Sequence, residues 1–249
     1  MKIQLVSNKS NKKSLNKKQK IEVFIDVVNN SKADLILFPG WTLAEDTDIH
    51  QLEKKVANKS VSAFFELSIP TRSKSDSLSS NRLFFLSDGK IEDLGSHQHF
   101  STSKGATLKK INSFVDDFEE KRKKVVCGKV VRVVICGEMN VLKTIKDKNY
   151  EASIRYPGSD EAVRFERLLA ETDIILNYLH SPQYSRQHIH GRRREFFSND
   201  KKVFVSTNNY DEGVSFSKTV QYHYHDGVEC TLGKPEKGKH DCMIRIVEI

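Results

Sequence analysis

Two segments of almost continuous apolar character, ADLILFPG ending at Gly40 and VVRVVIC ending at Cys136, constrain this chain more than any other feature. A strand with one solvated face alternates apolar and polar residues, because successive side chains point to opposite sides. A run without alternation needs cover on both faces, as a strand has inside a layered α/β protein. The rest of the sequence supplies that cover. From Ser14, a plausible N-cap, to about Asn30 the residues Ile21, Phe24, Ile25 and Val28 recur at helical spacing. A second helix is expected over Asp46 to Asn58, a third in SDEAVRFERLLAET behind a Ser159 or Asp160 cap, and a fourth in SRQHIHGRRREFFSND.

Strands are expected between these helices. KIQLVS opens the chain, and SVSAFFELSI is followed by NRLFFLSDGKIEDLG, a hairpin turning at Asp88-Gly89. DIILNYL, KKVFVSTNN, KTVQYHYHDG and CMIRIVEI complete the set. Strands alternating with helices point to an α/β layer protein. With no long linker, repeat or low-complexity tract, residues 1–249 read as one domain. TRSKSDSLSSNR is the segment expected to be a mobile loop.

At 249 residues the chain can bury a sizeable core. No apolar run reaches the ~20 residues of a membrane helix, and the N-terminal apolar stretch is too short for a signal peptide. The expected location is the cytoplasm, where Cys127, Cys136, Cys230 and Cys242 are free thiols, ligands or a nucleophile. A net charge of +8 permits attraction to nucleic acid and other acidic partners. The lysines are spread widely, however, as on an ordinary solvated face, which argues against a nucleic-acid surface.

Chemistry concentrates in VVRVVICGEMN. A buried strand ending on a thiol, a glycine and a carboxylate (Cys136, Gly137, Glu138) presents the thiol where open α/β sheets place their ligands. Three segments in order, KADLILFPGWTL, VVRVVICGEMN and the series TDIILNYLHSP, Arg-rich helix, VFVSTNNYDEG, together resemble the nitrilase, or carbon–nitrogen hydrolase, superfamily. The resemblance spans roughly Lys2 to Gly213. It implies a four-layer α-β-β-α sandwich and a Glu-Lys-Cys catalytic set. In that set a cysteine thiolate attacks a small amide or nitrile, passing through a thioester, and no cofactor or metal is used. It also implies an outer surface through which copies commonly pair, so a homo-oligomer is expected.

Transferred residue by residue, Cys136 matches the nucleophile and Glu138 the acid two places beyond it. Gly40 stands where the pattern has its glutamate. The lysine position falls on His97, Gln98 or His99, or on Lys104 or Lys110 if the preceding loop is shorter. Trp41, Gly137 and Asn140 are the flanking candidates for substrate contact. Several replacements for the missing base stay open: Glu138 turned toward the thiol, Glu45 reaching back, or an imidazole from His97 or His99, which can accept a thiol proton near neutral pH. Each also has a plain structural role, as do a buried cysteine and a turn glycine. Two readings of the whole chain follow. One is a thiol-dependent hydrolase acting through Cys136. The other is a catalytically inactive binding or regulatory module for a nucleotide, an acidic ligand or a protein.

Two further groups carry residue types with chemical potential. His223, His225, Cys230, His240 and Cys242 are of types that bind zinc, but their spacing matches no standard site. His188, His190, Arg192, Arg193 and Arg194 can bind phosphate or carboxylate, or form a basic helix face.

Overall fold

The computed structural model describes residues 1–9, 15–68, 81–145, 149–180, 187–210 and 220–249. Its strands are β1 (Lys2–Ser7), β2 (Leu35–Leu37), β3 (Leu43–Ala44), β4 (Ser62–Ser68), β5 (Arg82–Ser87), β6 (Lys90–His97), β7 (Lys123–Val126) and β8 (Lys129–Ile135). They continue as β9 (Leu142–Ile145), β10 (Glu151–Ile154), β11 (Ile174–Leu179), β12 (Val203–Asn208), β13 (Tyr222–His225), β14 (Val228–Glu229), β15 (Glu236–Lys237) and β16 (Met243–Glu248). The helices are α1 (Lys17–Asn30), α2 (Ile49–Lys55), α3 (Leu108–Glu120), α4 (Asp160–Ala170) and α5 (Gln187–Ser198).

One sheet runs β15-β16-β1-β2-β4-β5-β6, with β3 paired to β4; the other runs β14-β13-β12-β11-β8-β7. In the first sheet β1, β2 and β4 are parallel, and in the second β8, β11 and β12 are. The almost continuous apolar runs lie in these parallel centres. Along β2, Leu35 and Leu37 enter a core shared with the second sheet, while Ile36 and the following Phe38 pack under α1 and α2. Along β8, Val131, Val133 and Ile135 enter the shared core and Val134 faces α3, α4 and α5. Period-2 alternation thus sends each run into two different cores. The result is four layers, α-β-β-α, as the resemblance implies.

Local chemistry fixes the elements. Asn16 caps α1 through a reciprocal capping box with Gln19, at 2.9 and 3.0 Å. The expected cap, Ser14, lies outside the described residues, as do residues 71–80 of the expected mobile loop. The β5–β6 hairpin turns at Asp88-Gly89, both with positive φ (52° and 75°), the two-residue geometry that an Asp-Gly pair favours. Cys127-Gly128 turns β7 into β8 in the same way. Helix α3 and strand β7 were not anticipated from sequence, although Ile111, Phe114, Val115 and Phe118 follow helical spacing and are all buried. No described helix is long and apolar enough to cross a membrane.

Candidate functional site

Strand β8 stops because Cys136 takes φ +41°, a left-handed conformation rare for a residue with a Cβ. The chain then continues as a short 3-10 segment, Cys136–Val141. A glycine must follow the thiol: a Cβ at Gly137 would lie 2.3 Å from the Ser101 carbonyl oxygen and 2.5 Å from its Cα. The strained turn therefore fits tightly against the loop after β6 and leaves Cys136 half-buried.

Glu138 is fully buried and fully engaged. Its Oε1 accepts from the His99 backbone N–H at 2.8 Å and from Arg122 Nη2 at 3.1 Å. Its Oε2 accepts from the Ile135 N–H at 2.9 Å and from Arg122 Nη1. Arg122 also donates to the His97 carbonyl at 2.6 Å and to Ser96 Oγ at 2.7 Å. Burial works against the Arg122 charge, and Glu138 more than restores it, so its pKa is raised. This pair clamps the end of β8 to the end of β6.

Across the gap between the sheets, Glu66 on β4 is also fully buried. His180, the residue after β11, places Nε2 2.9 Å from both Glu66 carboxylate oxygens. Glu66 Oε2 accepts from the Trp41 N–H at 2.7 Å, and Oε1 from the Tyr178 hydroxyl at 3.4 Å. Cys136 lies close enough to the His180 imidazole to act on its charge. Burial alone would lower the His180 pKa. The Glu66 charge, followed by Cys136, outweighs it and raises that pKa well above 6.5. Tyr178 is raised well above 10 by burial and by Glu66.

Gly40 is what admits the imidazole. A Cβ there would lie 2.3 Å from His180 Cδ2 and 2.8 Å from Cγ. Backbone bonds stitch this turn to the other sheet: Gly40 N–H donates to the Leu179 carbonyl at 3.0 Å. Asn209 Nδ2 donates to the Gly40 and His180 carbonyls at 2.8 and 2.7 Å. Trp41 follows with φ +59° and sets its ring 5.0 Å from the His180 ring, partly exposed. Lys20 holds the Trp41 carbonyl at 2.8 Å; burial lowers the Lys20 pKa, opposed by Glu66. A half-buried thiol thus backs onto an imidazole, and the imidazole onto a buried carboxylate. That is the order of parts by which a cysteine is activated for nucleophilic attack.

No family model matches the chain, and no curated protein matches it. Solved structures do. A CN-hydrolase superfamily protein from Xanthomonas campestris with an arsenic adduct in its active site matches with TM-score 0.56 and 11% identity, covering 100% of this chain and 90% of that one. A mutant amidase from Nesterenkonia sp. AN1, with the acetamide moiety of fluoroacetamide added covalently at its active-site cysteine, matches at 0.56 and 8%, covering 99% and 90%. A glutamine-dependent NAD+ synthetase from Acinetobacter baumannii matches at 0.56 and 14%, covering all of this chain but 46% of that one. The fold is that of the carbon–nitrogen hydrolases.

Within this carbon–nitrogen hydrolase fold, Cys136, Gly137, Gly40 and Trp41 come together around His180 and Glu66. Asn140 lies in the same turn as the thiol. The other candidates sit elsewhere. His99 Nε2 is 2.9 Å from Asp117 Oδ2, and the His97 ring stacks 4.8 Å from that of His99. Burial, then the neighbouring His99, lowers the His97 pKa. Burial opposes ionisation of Asp117, but hydrogen bonds from His99, Lys121 and Ser96 hold its carboxyl well below the usual range. Lys104, Lys110 and Glu45 are exposed. The C-terminal histidines and cysteines do not converge: His240 bonds Glu22 at 2.7 Å, and Cys242 is buried with its thiol pushed up to about 12 by burial. No group of metal-binding side chains forms among the described residues.

Glu66 and His180 were missed in the sequence. Their signals were present: a lone carboxylate inside the apolar run SAFFELS, and a histidine just past a buried strand, at the same end as Cys136.

Proposed function

We propose that the chain is a thiol-dependent hydrolase of a small amide or nitrile. Cys136 is the nucleophile, His180 the acid–base residue that holds and returns its proton, and Glu66 the residue that orients and charges the imidazole. The observation that carries this reading is one buried imidazole, held by both Glu66 carboxylate oxygens at 2.9 Å, with Cys136 as its next charge-stabilising neighbour. Gly40 removes the glutamate of the usual pattern, and the same absence of a side chain opens the space that His180 fills. That coupling favours a rebuilt catalytic set over an inactive binding module, the rival reading.

With an amide, Cys136 Sγ attacks the carbonyl carbon as a thiolate, its proton already held on the His180 imidazolium. The tetrahedral intermediate collapses when His180 returns that proton to the leaving nitrogen, so an amine departs and a thioester remains. His180 then takes a proton from water, and the hydroxide oxygen attacks the thioester. A carboxylic acid leaves, and the Cys136 thiolate and the His180 imidazolium are restored. Glu66 keeps the imidazolium charge partnered throughout, as a buried cation requires.

The test is alkylation by iodoacetamide at neutral pH, read by intact mass and peptide mapping. Cys136 should react faster than Cys127, Cys230 and Cys242, and the fast phase should vanish in Cys136→Ala. His180→Gln should slow it about 10²-fold or more. A wild-type Cys136 no faster than the exposed Cys127 would sink the proposal.

A further inference from the structure

The turn that carries Cys136 ends at Asn140, and two arginines converge there. Arg155, just after β10, donates from Nε to the Asn140 carbonyl at 2.6 Å. Arg193, on α5, donates from Nη1 to Asn140 Oδ1 at 2.9 Å. Asn140 is held in turn by its Nδ2 bonds to the Gly137 and Ser101 carbonyls, at 2.8 and 3.2 Å, and by Ser103 Oγ at 2.8 Å. Its orientation is therefore fixed, and with it the positions of both guanidiniums.

The pair has no counter-charge among the described residues. Two other buried arginines do have one: Arg122 has Glu138 and Arg132 has Glu171. Neither Arg155 nor Arg193 forms an ion pair with any carboxylate among the described residues. Arg193 is only 5% exposed, and its Nε has no hydrogen-bond partner. Burial and the Arg155 charge together pull its pKa down to about 10. The nearest acid on its own helix, Glu195, is taken by Arg192 at 2.8 Å. A buried guanidinium beside a second one is costly unless an anion neutralises both. Planar N–H forks suit an oxyanion with two or more acceptor oxygens.

We propose that Arg155 and Arg193, converging on Asn140, bind a carboxylate or phosphate group beside the turn that carries Cys136. Asn140 lies four residues past the thiol, about 8 Å along a 3-10 segment. The anion therefore has two sources of the same chemistry: the charged tail of the substrate or a free anion. Only the first rests on Cys136 being the nucleophile.

Two measurements on the full chain test the site. Inorganic phosphate, titrated calorimetrically, should bind the wild type saturably. Arg155→Gln should weaken it about tenfold or more, and Arg155→Lys, which keeps the charge without the fork, by less. Lys123→Gln, an exposed lysine change on β7, should leave binding unaltered. Alkylation of Cys136 by iodoacetate and by iodoacetamide is then compared with and without phosphate. Phosphate slowing iodoacetate while sparing iodoacetamide assigns the anion to the substrate path. Phosphate binding through Arg155 that leaves both rates alone assigns it to a free anion. Either outcome supports the site. Binding unchanged in both Arg155 variants, or no saturable binding to the wild type, overturns it. If Cys136 resists both reagents, the hydrolase reading fails, and the phosphate titration still decides this one. Should Arg155→Gln not fold, judged by circular dichroism, Arg155→Lys carries the comparison.

Discussion

A methyl group at position 40 separates catalytic from structural roles more cleanly than any change to the thiol. Gly40 does not have a left-handed φ, so Gly40→Ala costs nothing in backbone strain, and its effect is the 2.3 Å approach to His180 Cδ2. The ring must move, and with it its position beside Cys136. We expect Gly40→Ala to slow Cys136 alkylation about tenfold or more while the protein stays folded by circular dichroism; an unchanged rate would show that His180 does not serve the thiol. Glu66 is expected to set the charge of that ring. Because Glu66 raises the His180 pKa above the 6.5 of a free imidazole, His180 contributes stability in full below about pH 6.5. That contribution is lost as pH rises through the higher folded value. In Glu66→Gln the largest effect that raises the pKa is gone, and burial, which lowers it, is opposed by Cys136 alone. Urea midpoints measured from neutral to alkaline pH should therefore fall through this window in the wild type and lose that component in Glu66→Gln. An NMR titration of His180 should show its pKa falling in the variant.

Among the elements, the end of β8 depends on the buried Arg122–Glu138 pair, which ties it to β6 and α3. Arg122→Met would leave Glu138 buried beside two backbone N–H donors but without its cation, and breaking such a pair typically costs about 3–5 kcal/mol. For a chain of this length that is on the order of 6–20 °C in thermal midpoint, readable by calorimetry. Adding Glu138→Leu should recover only part of the loss, because the His99 and Ile135 N–H groups would then be unsatisfied. Full recovery would mean that those two bonds contribute nothing. This clamp also explains what the sequence could and could not reveal. The residues Cys136, Gly137 and Glu138 announced a special strand end, and ADLILFPG and VVRVVIC announced strands covered on both faces. The role of Glu138 was not readable, because its partner Arg122 sits in the charged tract EEKRKK, indistinguishable there from a solvated face. Helix α3 and β7 were overlooked for the same reason: charged residues surround their few buried positions.

On the scale of the whole molecule, the site is a seam. Gly40, Trp41 and Glu66 come from one sheet, and Cys136 and His180 from the other, so no single segment contains the constellation. That is why its two hidden members escaped a reading by local motif: Glu66 and His180 are 114 residues apart, and only the stacking of the sheets makes them neighbours. Reactivity should then depend on how the sheets are held together near the thiol. Two ties allow the comparison. Asn209 bridges the Gly40 and His180 carbonyls, whereas Thr207 Oγ1 bonds the Val6 carbonyl at 2.5 Å and Ser7 Oγ at 3.1 Å. Each removal leaves buried acceptors unpaired, at about 1–3 kcal/mol apiece, so Asn209→Ala and Thr207→Val should lower the thermal midpoint comparably. Their effects on chemistry should differ. Asn209→Ala frees the turn at Gly40 and the backbone of His180 together, and should slow Cys136 alkylation about tenfold, the effect of a misplacement well under an ångström to about one. Thr207→Val, at the same seam but with its hydroxyl bonded to Val6 and Ser7 instead, should leave that rate within a factor of two of wild type, about 0.4 kcal/mol. Equal slowing in both variants would mean that Cys136 reactivity tracks global stability, and that the Asn209 bridge has no particular hold on the imidazole.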